Sequence, residues 1–327
     1  MNAYRNLIFL TLILTLGVVS LGAYVRLSDA GLGCPDWPGC YGHVSPHHAA
    51  EAIETQLAVR PDGPVSHAKA WKEMIHRYFA GSLGLLVLAI AILSWRRRQD
   101  TAGGPGLSIV LLALIVFQAL LGMWTVTLLL KPLVVTAHLL GGMATLSLLL
   151  WLWLRERAHA THAYYAHVEH LRGAAGLGLL LVIVQIALGG WVSTNYAALA
   201  CTDFPMCQGT WLPPMDFEHA FTLHRELGET AAGDLLPMTA LTAIHWVHRV
   251  MALIVTLYLG WLVIRLFRTP GYAGIGFAIC LLLVVQISLG ISNVLLSLPL
   301  GLAVAHNAGA ALLLSSLVVL NHRVRRR

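Results

Sequence analysis

Charge is scarce in this chain. Of its 327 residues only 11% are charged and 15 are acidic, against about 25% charged in an ordinary soluble domain. Together with 57% hydrophobic residues and a mean hydropathy of +0.73, this excludes a soluble globular enzyme. The chain reads as a polytopic membrane protein. A formal charge of +6 does not point to nucleic acid, because an arginine excess in so apolar a chain follows from membrane topology. Cysteine is scarce too. There are five, and their spacing does not match the gaps of about two to four residues usual in a zinc ligand set.

What the chain has in quantity is long apolar runs. Eight of them reach the roughly 20 residues that a spanning helix needs: 7–26, 73–95, 107–129, 132–154, 174–195, 242–265, 274–297 and 299–320. The first is too long for the apolar region of a signal peptide, and Ala23-Tyr-Val-Arg-Leu27 is a poor cleavage site. It therefore counts as a helix. Placing the N-terminus inside puts Arg5, Arg96, Arg97, Arg98, Arg155, Arg157, Arg172, Arg265, Arg268, Arg323, Arg325, Arg326 and Arg327 on the inner side. These are 13 of the 21 basic residues, as the positive-inside rule demands. An even helix count then puts both termini inside.

Four cysteines fall in the two long outer loops, Cys34 and Cys40 in the first and Cys201 and Cys207 in the second. The outer side favours disulfides, and four cysteines allow three pairings. Local pairing, Cys34–Cys40 and Cys201–Cys207, is the simplest. It suits either a loop constraint or thiol exchange, with Cys34–Cys40 the better redox candidate. Cys280, within a helix, reads as a small buried hydrophobe.

The sequence repeats itself. Leu21-Gly22-Ala23-Tyr24-Val25 leads to Cys34 and Cys40; Leu188-Gly189-Gly190-Trp191-Val192 leads to Cys201 and Cys207, 167 residues later. Ile75-His76-Arg77 answers Val247-His248-Arg249, and Gln118 to Gly122 answers Gln286 to Gly290. His138 and His306 each follow a proline, Pro132 and Pro299. We expect an all-α fold, with eight transmembrane helices as two four-helix bundles. The expected bounds are 1–154, an inner linker at 155–173, and 174–327. Four helices per repeat preserve orientation, so the repeats should be parallel, about an axis along the membrane normal.

That arrangement places His76, His138, His248 and His306 at one depth, near the outer ends of even-numbered helices. Histidine is costly in hydrocarbon unless it faces a cavity, a partner or a metal. One alone reads most simply as a polar packing residue. Two pairs in register point to two metal or heme sites, since bis-histidine heme ligation takes one imidazole from each of two helices. Gly81, Gly84, Gly141, Gly142 and Gly309 suit a flat ligand and ordinary close helix packing equally well. The pairs are not chemically equal. Three residues before the first histidine, on the same helix face, stands Glu73 in one repeat and His245 in the other. His43, His47, His48, His67, His219 and His224 fall in outer loops. His159, His162, His167 and His170 fall in the linker, and none of these ten is taken as a ligand.

Glu73-x-x-His76-Arg77, His138, His248-Arg249, His306, the eight helices and the paired loop cysteines together resemble the heme A synthase family over nearly the whole chain. The resemblance implies that His248 and His306 ligate a heme b cofactor, while His76 and His138 hold the substrate heme O or its product. It implies oxidation of a ring methyl to a formyl group by successive hydroxylations, giving heme A for cytochrome oxidase. Glu73 is then the catalytic carboxylate, taking a proton or stabilising positive charge at the methyl carbon. Arg77 and Arg249 are candidates for the heme propionates, against a lipid headgroup or an inter-loop ion pair. The expected setting is a bacterial inner membrane, with the sites toward the outer side. The expected partners are a heme O synthase, an electron-transfer protein, the lipid bilayer and a second copy of the chain, with no nucleic acid. The alternative is a di-heme b-type electron-transfer protein; a transporter ranks below it, since transporters place polar residues at the midplane.

Overall fold

Helices are forced on this chain wherever it crosses lipid, because only there does every backbone group find an internal partner. The computed structural model describes residues 2–61, 63–101, 104–161 and 168–325, and these contain helices but no strands. Eight helices are long and apolar enough to cross a membrane. They are α1 (Asn2–Leu27), α3 (His67–Arg96), α4 (Gly106–Thr127), α5 (Pro132–Thr161), α6 (Arg172–Thr194), α8 (Met238–Phe267), α9 (Ala273–Leu295) and α10 (Leu300–Arg325). Two short helices, α2 (Ala50–Val59) and α7 (Phe217–Ala220), lie in the long loops. Many large apolar side chains stay exposed, Leu85 at 70% and Leu257 at 66% among them. Such surface suits lipid.

Several helices outrun the apolar runs that announce them. The α3 helix starts at His67 rather than residue 73, because Ser66 caps it by accepting from the Lys69 N–H at 3.2 Å. The α5 helix continues to Thr161, through most of the first part of the expected linker. Apolarity marks what the bilayer covers, whereas caps and prolines mark where a helix ends. His162, His167, Arg326 and Arg327 lie outside the described residues.

The packing closes two rings. The α1 helix packs on α3 and α5, and α4 lies between α3 and α5; likewise α6 packs on α8 and α10, with α9 between those two. The rings meet where α1 and α5 face α6 and α10. At the seam, residues 167 apart touch each other: Arg26 Nη2 donates to the Ser193 carbonyl at 2.7 Å, and Tyr196 Oη donates to Asp29 Oδ1 at 2.8 Å. Contacts between counterparts are what a twofold relation produces near its axis. The left-handed turns follow the same offset. Asp29 pairs with Tyr196, Tyr41 with Gln208, Leu129 with Ser297 and Leu130 with Leu298. The last four form two matching turns, which feed α5 at Pro132 and α10 after Pro299.

One large core runs through both rings. It includes Ile8, Val87, Leu111 and Leu149 from the first and Leu259, Ile279 and Leu317 from the second. Two smaller clusters anchor the loops. Cys34, Cys40 and Ile53 pack on Ala70 and Met74 of α3; Trp191, Ala197 and Ala220 pack on Ala240, Ala243 and Ile244 of α8. At Gly33 a Cβ would lie 2.6 Å from the Ala70 nitrogen, so only glycine lets the first loop lie this close to α3. Each loop is therefore seated over the turn that carries Glu73 or His245.

Candidate functional site

The four histidines share one local geometry. His76 and His138 lie near the N-terminal ends of α3 and α5, and His248 and His306 near those of α8 and α10. All four are only partly buried, although each stands among packed helices. Each imidazole presents its Cε1 to a glycine on a neighbouring helix. A Cβ there would meet that carbon at 3.0 Å from Gly22, 3.5 Å from Gly122, 3.1 Å from Gly189 and 3.1 Å from Gly290. Three of these gaps are too tight for an added methyl group. The rings are thus seated against helix backbone, which fixes their plane.

These glycines were hidden in plain view. Sequence reasoning weighed glycines on the histidines' own helices, yet Gly81 faces open space and Gly84 meets only Ile115. The four that matter stand on α1, α4, α6 and α9, each directly after a leucine. They were noticed as marks of duplication. The signal for their role was their recurrence on every odd spanning helix. Gly141 and Gly309 face Gln118 and Gln286 instead of an imidazole.

Glu73 is buried and its carboxylate is fully engaged. Oε2 accepts from the Cys34 N–H at 2.9 Å, and Oε1 accepts from Arg77 Nη2 at 2.5 Å. Arg77 Nη1 in turn donates to the carbonyls of Asp36 at 2.8 Å and Gly39 at 2.5 Å. In the second repeat, Arg249 Nη1 donates to the carbonyls of Asp203 and Met206 at 2.8 and 2.9 Å, and Nη2 to that of Cys201 at 2.8 Å. Its Nε donates to His245 Nε2 at 3.2 Å. Both arginines, expected at heme propionates, are here engaged by loop carbonyls.

Each loop is a closed knot. Disulfides join Cys34 to Cys40 and Cys201 to Cys207. Asp36 accepts from the N–H groups of Tyr41 and Gly42, and Asp203 from those of Gln208 and Gly209. The Gly209 N–H first, and then that of Gln208, hold the Asp203 carboxyl below its ordinary value. Cys280 is the one free cysteine among the described residues and sits within α9.

The donor set fits a heme bound through its iron. The Nδ1 atoms of His76, His138 and His306 are buried without hydrogen-bond partners among the described residues. An unpaired buried nitrogen is costly. Iron on one ring nitrogen and a proton on the other is a state these rings are built to adopt. No cluster of three or more metal-ligating side chains occurs among the described residues, so a bare-metal site with an all-protein shell finds no support there.

A family model described as "Cytochrome oxidase assembly protein" (COX15-CtaA) matches residues 5–318. The chain is similar to proteins named heme A synthase. One from Shewanella oneidensis is 46% identical over 97% of this chain and 95% of its own length. One from Rhizorhabdus wittichii is 29% identical over 98% and 94%, and one from Bacillus licheniformis 26% identical over 93% and 90%.

Proposed function

The chain belongs to the COX15-CtaA family of cytochrome oxidase assembly proteins, and from that premise we propose that it is a membrane oxidoreductase converting heme O to heme A. The observation that carries this reading is the pairing of four partly buried histidines, each set against a helix glycine, two in each ring. His248 and His306 hold a heme b cofactor, which when bound supplies the redox equivalents. His76 and His138 hold the substrate heme. Glu73 fixes a carboxylate one turn outward of His76. It serves the positive charge that develops at the ring methyl carbon as the methyl is oxidised to the formyl group. Arg77 and Arg249 keep the disulfide loops closed over the two sites. That closure keeps water from the reacting carbon and sets the depth of each pocket.

The histidines lie toward the outer side of a bacterial inner membrane, with both termini in the cytoplasm. A heme O synthase delivers the substrate, and an electron-transfer protein accepts the reducing equivalents. Co-expression with a heme O synthase, followed by heme extraction and chromatography, tests the reading. Heme A accumulates with the unaltered chain and is lost with Glu73→Ala. Heme b alone, with full redox cycling, would establish the electron-transfer alternative instead.

A further inference from the structure

The two halves differ at one position that plays no part above. On α6, Gln185 stands one turn before Gly189. Its amide nitrogen lies 3.1 Å from His248 Nδ1 and donates to the His248 carbonyl at 3.2 Å, while its Oε1 is buried and has no partner among the described residues. The residue 167 earlier is Val18, one turn before Gly22 on α1 and buried in the main core. The other two helices provide an internal control. Gln118 on α4 and Gln286 on α9 are counterparts, packed on the counterpart glycines Gly141 and Gly309. Three of the four helices that present a glycine to an imidazole thus carry glutamine one turn earlier, and α1 carries valine.

The chemistry gives this difference a direction. An imidazole that binds iron through Nε2 carries its proton on Nδ1, and an acceptor for that proton orients the ring and raises its basicity. A half-turn of the Gln185 amide about its last torsion exchanges O for N and brings the unpartnered Oε1 to His248 Nδ1. For His76 no such amide exists. Its Nδ1 is buried without a partner among the described residues, and the matching side chain on α1 is aliphatic.

We propose that Gln185 is a positioning residue that locks His248 onto the cofactor heme, and that Val18 leaves His76 unlocked, so that its heme exchanges. This rests on the assignment of the resident heme to His248 and His306. Loss of that heme in His248→Ala tests the assignment separately.

The test uses the full-length protein purified with its resident heme. Gln185→Leu removes the acceptor, and Gln185→Glu strengthens it. A stronger acceptor stabilises ferric iron, so the midpoint potential falls with Gln185→Glu and rises with Gln185→Leu. Heme transfer to apomyoglobin becomes about 10-fold faster with Gln185→Leu. Val18→Gln acts in the other half: protein purified after co-expression with a heme O synthase retains the substrate-side heme, and its release slows by about 10-fold. Should Gln185→Leu fail to fold, the Gln185→Glu potential and Val18→Gln retention decide. Potentials that move in the same direction, or do not move, overturn the inference, as does a Val18→Gln protein that releases substrate-side heme at the unaltered rate.

Discussion

The two outer loops are the same knot tied to two different posts. Each is closed by a disulfide, braced by an aspartate over the next two N–H groups, and gripped by an arginine that reaches the carbonyls at equivalent places. In the first repeat the arginine pairs with a carboxylate, and that carboxylate also holds the Cys34 N–H. In the second it leans on a neutral imidazole nitrogen, and the arginine itself holds the Cys201 carbonyl. The N-terminal loop is therefore tied down through Glu73, whereas the C-terminal loop is tied down through Arg249. A duplicated scaffold has kept its mechanics and changed the charge beside one imidazole pair. The altered charge stands beside the pair assigned to the substrate, where charge has chemical work to do.

The largest effects come from breaking this comparison at the imidazoles. With His248→Ala, the purified protein loses its heme b and makes no heme A, as read by pyridine hemochrome spectra and chromatography. Next comes the carboxylate. Glu73→Gln keeps an acceptor for the Cys34 N–H but removes the charge, so heme A production falls by about 100-fold or more while heme b content stays. Full heme A production by this variant would leave Glu73 a loop anchor and nothing more. The glycines sharpen the comparison further. Gly22→Ala, Gly189→Ala and Gly290→Ala press a methyl group against an imidazole and weaken heme binding by about 10-fold, whereas Gly122→Ala, with its 3.5 Å gap, leaves it nearly unchanged. Heme titration of each variant ranks them.

The smallest effect is at Asp203. Backbone N–H groups hold its carboxyl below the ordinary value of 3.8. A group with a depressed folded pKa contributes stability above its unfolded value and loses it as pH falls through the folded value. The second loop therefore keeps its resistance to protease from neutral pH down to about pH 4 and loosens below that. Asp203→Asn flattens this dependence.

Much of this was legible in the sequence, for identifiable reasons. Eight apolar runs cannot be anything but helices once lipid removes the alternatives, and the paired cysteines and histidines carry an offset that survives in the turns. The helix ends were not legible from apolarity, because Ser66 begins α3 on polar residues outside the apolar run. The partners of Glu73 and Arg77 were not legible either. Spacing puts Glu73 and His76 on one helix face, but only the folded loop shows that the carboxylate reaches Cys34 and that the arginine is engaged by carbonyls. The glycine seats lay between these cases. Their recurrence was visible, and what they touch was not.

The central claim is that one scaffold serves two hemes in two roles. Its most direct test is the heme content of His76→Ala protein, purified from cells that also express a heme O synthase. The account predicts heme b at the level of the unaltered chain, with neither heme O nor heme A bound or produced. Loss of heme b from this variant, or continued heme A, would contradict it.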